Sequence, residues 1–178
     1  MKKIILLILF ISAATICRAQ RLTFNQLEQL LNDNLNEAEE RLFLQGYSFA
    51  EKKPIAEDAT VYTFSNRKKT LTTAKVVSKA VSNGGIGKSY VQYVTYEPAE
   101  FQKLRKLMVE DGFNRSSKDS ISENSNYYKD NLAVNFQTDH SNKNRAFIIT
   151  LRNRYAASGN KVLKKLNLKK LFKSESNE

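Results

Sequence analysis

Apolar residues recur at spacings of three and four along the first stretch of the chain: Phe24, Leu27, Leu31, Leu35, Ala38 and Leu42. That spacing lines one face of a long predicted helix. Thr23 and Gln26 have capping-box spacing at its start, and Gly46 stands at its stop. Beyond Gly46 the period shortens to two. Tyr47 and Phe49 alternate with polar neighbours, and Tyr62 and Phe64 do so again after a loop around Pro54. Residues 72–81 are rich in β-branched side chains and predict a third strand, and residues 90–96 predict a fourth beyond a glycine-rich loop at 82–88.

The plan then restarts. Pro98 suits the first turn of a helix whose stripe is Phe101, Leu104, Leu107 and Met108, with Gly112 as its stop. Phe113 opens a strand, Tyr127 and Tyr128 mark another, and Asp130-Asn131 reads as a tight turn. Leu132, Val134 and Phe136 alternate with Ala133, Asn135 and Gln137, a half-buried pattern, and Phe147, Ile149 and Leu151 form the last strand. Each helix begins its stripe F-x-x-L, from Phe24 or Phe101, and ends in glycine followed by an aromatic residue. The expected architecture is therefore α+β, with two helices packed on one face of antiparallel β-sheet. The units are 20–96 and 97–156, and the parallel between them reads either as a tandem α-β-β-β repeat or as chance recurrence.

The first residues change the picture from a fold to an address. Lys2 and Lys3 precede an apolar run at residues 4–11, and Cys17, Arg18 and Ala19 end in a small residue. This is the build of a secretory signal peptide at 1–19, with an apolar stretch too short to span a bilayer. Cleavage after Ala19 leaves Gln20 first, and lipidation at Cys17 is disfavoured because Ile16 precedes it. The expected localisation is periplasmic or secreted. Cys17 is the single cysteine, so the mature chain has none and must be held by packing alone.

Removing residues 1–19 takes Lys2, Lys3 and Arg18 with it, which lowers the formal net charge from +11 to +8. A basic balance raises nucleic acid as a partner. Export and charge placement argue against it, because six lysines lie in the C-terminal tail, residues 157–178. There, residues 161–173 interleave Val162, Leu163, Leu166, Leu168, Leu171 and Phe172 with lysines. One reading is a cationic segment on an anionic membrane surface or lipopolysaccharide, acting through Lys164, Lys165, Lys169 and Lys170. The other is a solvated tail.

Catalytic chemistry is hard to assemble from these residues. The 82–88 loop and Ser89 look like a phosphate loop, but Ser82 stands where that motif needs glycine, and a strand follows instead of a helix. His140 is the single histidine, in a polar loop, and there is no Cys or His cluster for a transition metal. Asp130 and Asp139 could pair as carboxylates, although turn acids more often bond their own backbone. No catalytic residue, cofactor or metal ligand is therefore expected, and the chain reads as non-enzymatic.

The strand tyrosines are more suggestive. Tyr62, Tyr90, Tyr93, Tyr96, Tyr127 and Tyr128 lie on strands, and alternation sends Tyr93 to the face opposite Tyr90 and Tyr96. Whichever face the helices leave free would expose some of these rings beside Arg67, Lys68, Arg152 and Arg154. Tyrosine and arginine are favoured at protein-binding hot spots. The expected partner-binding set is Tyr62, Tyr90, Tyr93, Tyr96, Arg152 and Arg154, on an open sheet face that takes another protein. In size, signal and lack of mature cysteines the chain resembles small exported proteins of diderm bacteria of unassigned function. Its helix-then-antiparallel-sheet plan, over residues 23–154, is similar to the β-lactamase inhibitor protein family. That resemblance implies paired units whose sheet grips a target protein. It is one of topology: members of the family carry disulfides that this mature chain lacks, and no functional residue carries over.

Overall fold

The computed structural model describes residues 21–56, 59–66, 74–82, 89–116, 124–141 and 145–154. Helix α1 (Phe24–Asn32) begins as its sequence predicts. The Gln26 amide donates to the Thr23 hydroxyl, and the Thr23 amide donates back to the Gln26 side chain. The long helix expected as far as Gly46 is in fact two. Asp33 leaves the helical region at φ −59° and ψ 147°, and Asn34 forms a new capping box with Glu37 to start α2 (Leu35–Leu44). Short polar side chains at 32–34 compete for the backbone, which the apolar spacing does not register. Asp33 then accepts from the Arg41 guanidinium at 2.7 Å, closing the elbow between α1 and α2.

Helix α3 (Pro98–Glu110) carries proline in its first turn and buries Glu100, Phe101, Leu104 and Met108. Leu107, expected in the stripe, is exposed. The strands are β1 (Ser48–Ala56), β2 (Ala59–Ser65), β3 (Val76–Ser82), β4 (Tyr90–Thr95), β5 (Asn114–Arg115), β6 (Ser125–Lys129), β7 (Leu132–Asp139) and β8 (Ala146–Asn153). They form one antiparallel sheet in the order β1-β2-β3-β4-β8-β7-β6-β5. Pro54, expected in a loop, lies within β1. It is tolerated because β1 is an edge strand, where a missing N–H need not break a ladder. The two sequence units meet where β4 pairs with β8.

All three helices cover the same face. Leu27, Leu30, Leu42, Leu104 and Met108 pack there against Val77, Tyr93, Phe136, Ile149 and Leu151. Ring contacts add direction: Phe101 meets Phe136 edge-on at 5.2 Å, and Phe24 meets Phe113 at 5.2 Å. One buried charge lies under α1. The Lys79 ammonium donates to the Leu30 carbonyl and, at 3.4 Å, to that of Leu31, at the negative end of the helix dipole. Burial pushes this amine below its ordinary value.

Helices α2 and α3 end in the same way. The Gly46 amide donates to the Phe43 carbonyl and the Tyr47 amide to the Leu42 carbonyl, while Gly112 donates to Val109 and Phe113 to Met108. Both glycines sit at positive φ, 81° and 90°, as this cap requires. The aromatic residue after each is then buried. The helix end that matches α3 is thus that of α2, not that of a helix running unbroken from Phe24. A Cβ at Gly112 would meet no atom within 4 Å, so Gly112→Ala tests backbone conformation alone. The expected loss is about 1–2 kcal/mol in urea unfolding, with the fold unchanged by circular dichroism.

Candidate functional site

The face away from the helices is the candidate site, and its composition follows from register. Gln92 on β4 lies opposite Thr150 on β8. On one side the row continues to Ser78 and Thr63, and on the other to Asn135 and Asn126. Six strands thus contribute six polar residues in one line across the sheet. They bond in pairs: Thr63 with Ser78 at 3.4 Å, Gln92 with Thr150 at 3.4 Å, and Asn135 with Asn126 at 3.0 Å.

Two apolar clusters flank this row, one containing Val76, Val94 and Ile148, the other Val61, Ala80 and Tyr90. Neither contains a helix residue. The face is not open throughout, as sequence led us to expect. On β2, β3 and β4 it is buried, whereas Asn126, Tyr128, Asn135 and Arg152 are half-buried and Gln137 is exposed. The accessible part is carried by β6, β7 and β8.

Two of the six expected partner-binding residues are therefore not surface residues. Tyr93 is 0 % exposed on the helix side, where its hydroxyl donates to Glu100 at 3.0 Å. Tyr90 is 3 % exposed, its ring packed with Val61, Ala80 and Ile55. Its hydroxyl has no hydrogen-bond partner among the described residues. Burial pushes both phenols well above the ordinary tyrosine value. Tyr62 is half-buried on the helix side, with the Lys52 ammonium 5.5 Å from its ring centre. Tyr96 is half-buried beside the Val94 cluster.

Arg152 and Arg154 keep some exposure at the end of β8. Arg152 is half-buried opposite Tyr90, and exposed Arg154 holds its guanidinium 5.2 Å from the centre of the Tyr128 ring. Tyr128 faces this side because its neighbour Tyr127 turns to the core, where it accepts from Arg105 at 2.7 Å. Arg67, Lys68, Lys164, Lys165, Lys169 and Lys170 lie outside the described residues.

The helix side holds the densest ionic cluster. One Glu100 oxygen accepts from Tyr93, the other from Thr95 at 2.7 Å and from the Lys75 ammonium at 2.9 Å. Lys75 also reaches Glu97 at 3.1 Å, and Glu97 accepts from Arg21 at 3.0 Å. Tyr47 bonds to Tyr93, and burial raises its phenol above the ordinary value. Both Glu100 oxygens are engaged and enclosed, so the cluster binds β3, β4 and α3 together rather than presenting a reactive group.

Asp130 and Asp139 stand at opposite ends of β7 and do not pair. Asp139 accepts from the Ser141 amide and hydroxyl at 2.8 and 3.0 Å, a self-contained turn, as sequence suggested. Asp130 takes positive φ, 48°, in the two-residue β6–β7 turn. His140 is exposed beyond β7. Among the described residues, no group of three or more His, Cys, Asp or Glu side chains is placed to hold a metal ion. A cleft of about 270 Å³ opens between α1 and the β6–β7 turn, lined by Glu28, Asn32, Asp111, Lys129 and Asp130 among others, with Asp111 and Lys129 paired at 2.9 Å.

The molecule belongs to the α+β class; among the described residues, three helices lie on one side of an eight-stranded antiparallel sheet and a polar row crosses the other. Compared with known proteins, the chain matches no family model, no curated protein and no solved structure.

Proposed function

We propose that the chain is an exported, non-enzymatic protein that binds another protein through the β6–β8 part of the sheet face away from its helices. One observation carries this reading. Tyr128 and Arg154 stack at the surface of that face, which continues through Arg152, Asn126 and Asn135 to Gln137 further along β7. Tyrosine and arginine with adaptable amides beside them make a composition favoured at the centre of protein interfaces. The two halves of the face also differ in character. Positions flanking the polar row are Val61, Ser65, Val76, Ala80, Tyr90 and Val94 on β2–β4, whereas on β6–β8 Arg152, Tyr128 and Gln137 stand beside the buried Ala133 and Ile148. The helix side, by contrast, carries the apolar core of both halves, with Lys79 and the Glu100–Lys75 pair enclosed in it. Two units joined in one sheet are also what the resemblance to the β-lactamase inhibitor family suggests.

The test is photocrosslinking from Gln137 in envelope extract, with the captured protein identified by mass spectrometry. One partner is expected, captured by the parent and lost in Asn135→Arg, which places a bulky charge in the middle of the accessible face. The control Glu40→Arg, on the exposed side of α2, should capture the same partner. Equal capture by Asn135→Arg, or no reproducible partner, overturns the reading.

A further inference from the structure

We infer that the partner of this face is an acidic protein segment, one of whose carboxylates is taken by Arg154 stacked on Tyr128. This deepens the protein-binding reading and rests on it. Arg154 directly follows β8, and its amide donates to the Asn131 carbonyl, so its backbone is tied to the β6–β7 turn. With the guanidinium 5.2 Å from the Tyr128 ring centre, the stack holds the fork in place. A held planar fork matches a carboxylate bidentately, which a lysine ammonium cannot do. Arg152, two residues earlier at the end of β8, lies on this face opposite Tyr90 and adds to its positive charge.

An anionic lipid surface is the competing source of negative charge. Interfacial binding uses exposed apolar side chains for insertion. The large exposed hydrophobics among the described residues are Phe43, Leu44, Phe49, Leu107 and Val109, on α2, β1 and α3. None lies on the β6–β8 face.

The test is calorimetric titration of the chain from residue 20 onward with a polyglutamate peptide at two salt concentrations. Arg154→Ala is expected to weaken binding about tenfold, and Arg154→Lys to stay several-fold weak despite keeping the charge. Tyr128→Leu should fall between the parent and Arg154→Ala, because it removes the stack alone. The charge-matched control, Lys52→Ala on the far edge strand, should change affinity less than about twofold. Loss of equal size in that control, or full affinity in Arg154→Lys, would show bulk charge alone and overturn the inference. Phosphatidylglycerol vesicles bound with the same Arg154 dependence would overturn it in favour of a membrane. If polyglutamate shows no Arg154 dependence while the Gln137 crosslink still captures a partner that Asn135→Arg loses, the protein-binding reading stands and its acidic chemistry falls.

Discussion

Glu100→Gln is expected to lower the unfolding free energy by about 3 kcal/mol in urea titration, the largest effect of any single polar substitution in the body. Glutamine keeps the shape but has one acceptor oxygen, enough for Tyr93, while its NH2 group stands where the second carboxylate oxygen accepted from Thr95 and Lys75. It removes the charge that faces the Lys75 ammonium at 2.9 Å, with both side chains almost wholly enclosed. A buried cation left with only the more exposed Glu97 is the costly product. Glu97 continues to reach Lys75 from a more exposed position, which sets the expected value at the low end for a broken buried pair. Lys75→Met in the Glu100→Gln background removes the stranded charge and should restore part of the loss. A double variant no more stable than Glu100→Gln would show that the pair does not set the energetics.

A steep alkaline unfolding is the second large effect. Tyr47, Tyr90 and Tyr93 all have phenols raised by burial, so the folded state keeps their protons where the unfolded chain releases them. Their stabilisation is full below the ordinary tyrosine value near 10 and is lost as pH rises above it. Each contributes about 1.4 kcal/mol of loss per pH unit in that window, or about 4 kcal/mol for the three together. Lys79 acts in the opposite sense. Its lowered value makes stability rise with pH until the unfolded lysine value near 10.5, after which it adds nothing. The tyrosinate absorbance should therefore show an early phase from accessible phenols, then a second that coincides with loss of the sheet signal in circular dichroism. A single early phase with the sheet intact would contradict the burial of these rings.

Much of the fold was legible because period and caps are local. Gly46 and Gly112 mark two helix ends, and alternation marks β7 through Leu132, Val134 and Phe136, though not the two-residue β5 or the Pro54 end of β1. The break at Asp33 was missed because Leu31 and Leu35 keep helical spacing across it, while the Asn34–Glu37 capping box lay inside the stripe. The candidate site was less legible, for a physical reason. Alternation correctly put Tyr93 opposite Tyr90, but it cannot say which face the helices cover or how deep the other lies. The row from Thr63 to Asn126 needs the register of five strand pairings, and no local pattern contains it. Tyr128 could be separated from Tyr127 only once Phe136 and Val134 fixed which side of β6 is buried.

The seam between β4 and β8 has a consequence for how the molecule is made. Ribosomal synthesis delivers β4 early, whereas its neighbour β8 is the final strand, with Gln92 waiting for Thr150 across the whole second unit. In the interval a strand that is central in the finished sheet presents an unsatisfied row of amides and carbonyls, flanked by Tyr90, Val91 and Val94. Such an edge invites pairing with another chain. The nascent first half is accordingly the stage at which this protein has most need of a chaperone, and truncations that end before residue 146 should be found in aggregates rather than as soluble fragments.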